Sequence, residues 1–243
     1  MTIRVSSGWS PEGRKQYGGR FLQSFDKHWP AEVQLQVYTE EPHTMPRDAC
    51  RSLWDIPGAK NFRDMHADSA MANGRKHQPC WKPAEVRRGY SFKTDAYKFF
   101  KQILIPGMAA VGLQEGDILV WLDGDVVTTK KVPLDFVPNL LGDDGDVCFL
   151  NREPQHSEIG FWAIRINRRT RKFLNDMAEF YRSGNVFGLS EWHSAFVWDR
   201  AREMNDLKEV RLCRPNRRGH VFPKSPLGEY MDHLKGPRKG TVR

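Results

Sequence analysis

Asp123-Gly124-Asp125 is the tripeptide of this sequence best suited to hold a cation. Two carboxylates separated by one glycine can turn toward a single ion, and the glycine permits the tight backbone path between them. Hard divalent cations such as Mg²⁺ and Mn²⁺ take one or two carboxylates and complete their shells with water and phosphate oxygens. A cation held in this way stabilises the charge that grows on a diphosphate leaving group as its bond breaks. Asp-Gly-Asp is also ordinary turn chemistry, so its position decides. It stands directly behind Asp117-Ile118-Leu119-Val120-Trp121-Leu122, a near-continuous apolar run that predicts a central strand buried on both faces. Ligands of open α/β sheets bind in the crevice beyond the carboxyl ends of such strands.

The flanking sequence predicts the rest of that sheet. Ile3-Arg4-Val5 predicts a short first strand stopped by Ser6-Ser7-Gly8, Phe21, Leu22, Phe25 and Trp29 lie at helical spacing, and residues 33–38 alternate as a second strand. Strand–helix–strand is the opening of a parallel α/β sheet. Residues 92–110 return to helical spacing, with a kink or early stop expected at Pro106. Extended segments are expected at 126–129, 147–150, 161–166, 210–212 and 220–223, and helices at 168–183 and 191–202. Residues 43–89 are rich in His, Arg, Asp, Pro and Gly, which predicts an irregular insertion with one short helix over 59–70. From Ser225 on the sequence reads as loop and basic tail. The expected class is α/β over 1–243 as a single domain, a Rossmann-type mixed sheet flanked by helices with a loop-rich insertion.

The composition narrows the classes. With 39% hydrophobic residues in 243, including 8 Trp and 14 Phe, the chain can bury a core, which excludes global disorder. No apolar run approaches the ~20 residues that cross a bilayer, and MTIRVSSGWS lacks a signal-peptide core, so no membrane span and a cytoplasmic location are expected. Cys50, Cys80, Cys148 and Cys213 are scattered and form no C-x-x-C pair, which argues against a zinc site or a disulfide framework. A net charge of +8 favours polyanionic partners without choosing among nucleic acid, anionic glycan and nucleotide phosphates.

Near the end the chain reads Asp232-His233-Leu234-Lys235-Gly236-Pro237-Arg238-Lys239, which contains His-x-x-Gly-x-x-Lys. A strand followed by D-x-D, and much later by H-x-x-G-x-x-K, resembles the GT-A glycosyltransferases, in particular the glycogenin and galactosyltransferase-like family eight. The resemblance covers these two motifs and the order of elements. The family usually continues Lys-Pro-Trp, whereas Gly240-Thr241 follows here. It implies a Mn²⁺-dependent, retaining transfer from a UDP-sugar donor, with Mg²⁺ as the alternative ion. Carried over, Asp123, Asp125 and His233 are metal ligands, and Gly236 and Lys239, in a 225–243 segment, meet the diphosphate. Neutral imidazole ligates Mn²⁺-like ions, glycine lets backbone approach phosphate, and lysine supplies a point charge.

The same resemblance points to further positions. Lys93, with Lys98 second, stands early in the helix before the D-x-D, where a basic residue reaches the donor. Ser6, Ser7 and Gly8, in the expected opening loop, and Thr39 with Glu40, after the second strand, are expected beside the nucleoside. Glu191, with Asp199 as the alternate, stands where such enzymes place an acidic residue near the sugar or acceptor. Two basic clusters, Arg165, Arg168, Arg169, Arg171 and Lys172, and Arg211, Arg214, Arg217 and Arg218, have aromatic residues nearby. They admit DNA, for example a hydroxymethylated base, beside glycan or protein as acceptor. The rival class is a nucleic-acid-binding protein or metal-dependent nuclease that uses Asp123 and Asp125.

Overall fold

A computed structural model of the chain describes residues 1–42, 49–69, 71–75, 89–214 and 220–239; the side chains of Pro237 and Lys239 fall outside that description. The strands are β1 (Ile3–Trp9), β2 (Gln34–Thr39), β3 (Cys50–Ser52), β4 (Ile118–Leu122), β5 (Val126–Thr128), β6 (Val147–Leu150), β7 (Glu158–Arg165), β8 (Glu209–Arg211) and β9 (Met231–His233). Seven of them form one sheet in the order β3-β2-β1-β4-β7-β6-β8, and β5 pairs with β9 in a second, small sheet. β1 runs parallel to β2 and β4, β2 to β3, and β6 to β8, while β7 is antiparallel to both neighbours. This is the expected Rossmann-type mixed sheet. The helices are α1 (Pro11–Gly13), α2 (Gly19–His28), α3 (Ala59–His66), α4 (Ala96–Ala109), α5 (Phe136–Leu141), α6 (Arg168–Arg182) and α7 (Ser194–Glu203).

All five residues of β4 are buried because both faces of the strand are covered. Leu119 and Trp121 pack with Phe100, Ile103 and Leu104 of α4 and Phe173 and Met177 of α6. Ile118, Val120 and Leu122 pack with Phe21 and Phe25 of α2 and Val137 and Leu141 of α5. The period-2 alternation of a strand thus distributes one apolar run between two cores.

Several expectations are corrected. β1 does not stop at Ser6 but runs to Trp9, because β2 pairs with it in parallel as far as Trp9, β4 pairing with it up to Ser6. Ser6 Oγ donates to the Val120 carbonyl at 3.1 Å, so a small polar residue is satisfied inside the sheet. A Cβ at Gly8 would sit 2.9 Å from the Tyr38 carbonyl oxygen, so only glycine fits that close approach. α4 continues through Pro106 to Ala109, since the burial of Ile103, Leu104, Ile105 and Ala109 outweighs one lost N–H bond. The 43–89 region supplies the edge strand β3 as well as α3, whose Phe62 ring packs 5.1 Å from that of Phe100. Residues 43–48, 70 and 76–88 of that region, with Cys80, lie outside the described residues. Residues 220–223 are not extended; a 3-10 turn spans Phe222–Lys224. The segment after Ser225 contains β9. No described helix is long and apolar enough to cross a membrane.

Candidate active site

β4 ends at Leu122 and the backbone turns at once, the Val126 N–H donating to the Asp123 carbonyl at 2.9 Å. The turn feeds β5, and β9 pairs with β5 so that His233 lies opposite Val126. The Leu234 N–H donates to the Asp125 carbonyl at 3.0 Å and completes the junction. His233 Nε2 therefore reaches within 2.9 Å of Asp125 Oδ1 and 3.7 Å of Asp123 Oδ2. One ligand atom from each of the three residues lies within 4.8 Å of the other two. Two carboxylate oxygens and one imidazole nitrogen form a donor set that suits Mn²⁺ or Mg²⁺.

The neighbours fix these side chains. Trp121 Nε1 and Gln102 Nε2 both donate to Asp123 Oδ1, at 2.9 and 3.1 Å, and it is Oδ2 that faces His233. Gln102 in turn accepts from the Ser194 hydroxyl. Trp9 and Tyr17 lie over Gly124, where a Cβ would meet their rings at 2.8 and 3.0 Å. Glycine here serves contact with aromatic rings as well as the turn.

The electrostatics follow from burial. Burial pushes the Asp123 carboxyl up to about 6, and the charge of Asp125 adds to it, against the pull of His233 and Trp121. Burial opposes a charge on His233, but hydrogen bonds and charge from Asp125 and Glu158, with Asp123, outweigh it and raise the imidazole to about 9. Burial also acts against ionised Glu158, yet His233 and Lys235 hold its carboxyl below the usual range. Of the four groups, the carboxylates of Asp123 and Asp125 and of Glu158 favour the charged form of the imidazole between them.

The cluster floors a cleft of about 760 Å³, lined also by Gly8, Ser10, Lys98, Lys101, Arg152, Ser157, His193, Lys235 and Gly236. Gly236 has φ +59°. Ser6 and Ser7 are buried in β1 rather than in a loop; of the opening segment, Gly8, Trp9 and Ser10 line the cleft. Thr39 is buried at the end of β2 and accepts from the Glu41 N–H at 3.4 Å, and Glu40 pairs with Lys101 at 2.6 Å. Neither Thr39 nor Glu40 lines the cleft.

Glu191 precedes α7 instead of opening it; His193 is the N-cap and accepts from the Phe196 N–H at 3.4 Å. Glu191 is held by Lys93 Nζ at 2.7 Å and His193 Nε2 at 2.8 Å, with His156 Nε2 at 3.5 Å. Lys93 thus meets a carboxylate, while Lys98 reaches the cleft. Asp199 accepts from Ser157 N–H and Oγ at 3.0 and 2.7 Å and lies 3.4 Å from His156 Nδ1. Neither acid lines the cleft, but His193, Ser194 and Ser157 beside them do. The side chain of Lys239, with Arg217 and Arg218, lies outside the described residues. The first basic cluster is at the far end of the sheet, since Arg165 pairs with Ile118 and Phe161 with Leu122. That separation is roughly 13 Å along the strand.

Glu158, Arg152, Gln102, Lys101, Lys235 and Tyr17 are site residues that sequence reasoning missed. A signal existed for Glu158: β7 opens three residues before the apolar run that begins at Phe161, and its first residue is an acid.

No family model matches the chain, and no curated protein matches it in sequence. Solved structures do. A glycosyltransferase involved in the glycosylation of the major capsid of PBCV-1 shares the fold at a TM-score of 0.52, over 98% of this chain and 96% of that one, at 12% identity. Two structures of the glycosyltransferase GlyE of Streptococcus pneumoniae TIGR4 align over 87% of this chain and 45% of theirs, with TM-scores of 0.42 and 0.41 and 10% and 9% identity. The fold is that of a GT-A, Rossmann-like glycosyltransferase.

Proposed function

We propose that the protein is a metal-dependent glycosyltransferase that moves a sugar from a nucleoside-diphosphate sugar to an acceptor hydroxyl. The observation that carries the reading is the convergence of Asp123, Asp125 and His233, from two separate segments, at the carboxyl end of the central strand of this fold. A Mn²⁺ or Mg²⁺ ion held by these three residues would supply electrophilic stabilisation of the departing diphosphate. Gly236 lets backbone approach the phosphates, and Lys239 is assigned to them by the same motif. Ser10 and Tyr17 border the floor of the cleft on the β1 side, where the nucleoside would lie. His193 and Ser194 face the sugar and acceptor side. Glu191, fixed by Lys93 and two imidazoles, acts through His193 as a positioning residue, and Asp199 orients Ser157 and His156.

A UDP donor and retention of anomeric configuration follow from the resemblance to family eight. A glycan or protein hydroxyl is the acceptor class favoured over DNA, because the described basic cluster at 165–172 stands at the far end of the sheet. A metal nuclease is the weaker reading: the third nearby carboxylate, Glu158, faces His233 Nδ1 and Lys235 rather than an ion shared with Asp123 and Asp125.

Isothermal titration with UDP and with GDP, with and without Mn²⁺, tests the reading. Mn²⁺-dependent binding of one nucleoside diphosphate is expected. Absence of metal-dependent binding for both overturns it.

A further inference from the structure

Glu158 touches both halves of the candidate site. It opens β7 where the register against β6 slips, Leu150 pairing with Glu158 while the adjacent Phe149 pairs with Trp162. Irregularities of this kind re-aim side chains, and the Glu158 side chain is only 6% exposed. Its two oxygens have different partners. Oε1 lies 3.4 Å from His233 Nδ1 and accepts from the Gly160 N–H at 3.3 Å. Oε2 contacts Lys235 Nζ and lies 3.6 Å from Arg152 Nη1. Lys235 and Arg152 both line the cleft, beside Gly236, and keep 42% and 28% of their side chains exposed.

We propose that Glu158 couples the cation site to the diphosphate site. One oxygen fixes His233 so that Nε2 faces Asp123 and Asp125. The other holds Lys235 and Arg152 together as a cationic pair for phosphate oxygens. The inference rests on the nucleoside-diphosphate-sugar reading. His233 Nδ1 is buried, and Glu158 Oε1 at 3.4 Å is an ion-pair contact with it; a carboxylate set behind a ligating imidazole orients the ring, and losing it lowers metal affinity. One negative charge set between two cations leaves positive charge at the rim of the cleft, where an anion can take up the remaining N–H donors. Lys235 stands two residues past His233, and the Leu234 N–H between them is bonded to the Asp125 carbonyl at 3.0 Å. The segment that carries the imidazole therefore carries the lysine as well.

Titration calorimetry with Mn²⁺ alone, and with UDP in the presence of Mn²⁺, tests the coupling on folded full-length chain. Glu158→Gln is expected to weaken Mn²⁺ binding about tenfold or more, and UDP binding with it. Lys235→Met and Arg152→Met are expected to keep Mn²⁺ affinity within about twofold and to weaken UDP binding about tenfold each, the scale of one charge-assisted hydrogen bond. Lys235→Arg should restore most of the UDP affinity. The coupling is overturned if Glu158→Gln binds both ligands as the parent does, or if Lys235→Met loses Mn²⁺ affinity as much as Glu158→Gln does. Should Glu158→Gln fail to fold, Lys235 and the half-buried Arg152 carry the test, and unchanged UDP binding in both overturns the proposal. A parent protein that binds no UDP with Mn²⁺ overturns the glycosyltransferase reading itself; a binding parent with unaffected variants overturns only the coupling.

Discussion

The two ends of the β4–β7 pair bury the same kind of residue to opposite effect. At the Ile118 end, Asp146 is 2% exposed, and its oxygens accept from Asn167 Nδ2, from Arg169 Nε and Nη2 and from the Lys208 N–H, all within 3.0 Å. Asp117 accepts from the Thr2 and Gln114 N–H groups at 2.6 and 2.8 Å. Burial acts against ionised Asp146, but Arg169 and the other donors hold its carboxyl below the usual value, and backbone donors do the same for Asp117. At the Leu122 end, Asp123 has two neutral side-chain donors and a second carboxylate beside it, and its carboxyl is pushed up. A buried carboxylate whose lone pairs are filled by protein donors builds the fold. One left with like charge as its neighbour has its carboxyl raised in spite of the imidazole of His233 beside it.

The widest separation between the two ends should come from removing one acid at each. Asp123→Asn keeps an oxygen for Trp121 and Gln102 and removes the like-charge contact with Asp125. Its Mn²⁺ affinity should fall by more than about 100-fold, roughly 2.7 kcal/mol, with the melting temperature of the metal-free protein unchanged or raised. Asp146→Ala should do the reverse, costing about 2–3 kcal/mol of stability by orphaning buried donors and leaving Mn²⁺ binding intact. Calorimetric binding and thermal melts on both variants check this. A large stability loss in Asp123→Asn with metal binding retained would sink the comparison.

A smaller effect is expected from one methyl group. A Cβ at Gly160 would sit 2.4 Å from His233 Nδ1 and 3.2 Å from Glu158 Oε1. Gly160→Ala should displace the imidazole and weaken Mn²⁺ binding about tenfold, in the range of lost outer-shell support. If manganese titration followed by electron paramagnetic resonance gives the parent affinity, His233 is not held where the geometry places it.

The smallest effect is the pH dependence of stability without metal. His233 is raised from 6.5 to about 9 in the folded chain. Its contribution is therefore complete below about 6.5 and is lost as pH rises through about 9. Asp123 is raised from 3.8 to about 6, so its contribution also grows as pH falls through about 6. Asp146 is lowered, so its contribution is present above the unfolded carboxylate value and is lost as pH falls through the folded one. In a chelator, the melting temperature should be highest between about pH 4 and 6.5 and fall by a few degrees toward pH 9.5. His233→Gln should flatten the alkaline side. An equally steep alkaline fall in that variant would place the titrating group elsewhere.

The parts of the fold that were legible are those where one stretch contains its own signal. Ile118-Leu119-Val120-Trp121-Leu122 states its burial on both faces, and Phe173, Leu174 and Met177 state the buried face of α6. Ser6-Ser7-Gly8 has turn-forming residues but is strand, because β2 pairs with all three and β4 with Ser6. β9 gave no signal, since Met231-Asp232-His233 is too short for alternation to register and becomes a strand only by pairing with β5. Glu191 was placed in a helix that begins three residues later, at Ser194, because the apolar pattern does not mark the N-cap that His193 provides.

By itself the sequence determined the central strand, the acid pair at its end and the presence of a distant His-x-x-Gly-x-x-Lys, since each is a local pattern of residue type and spacing. Tertiary structure alone decided that His233 faces that pair, that Glu158 stands behind the imidazole, and that the basic cluster at 165–172 lies away from the cleft. These are contacts between segments far apart in sequence, and they depend on strand pairing and on one register slip that no local pattern contains.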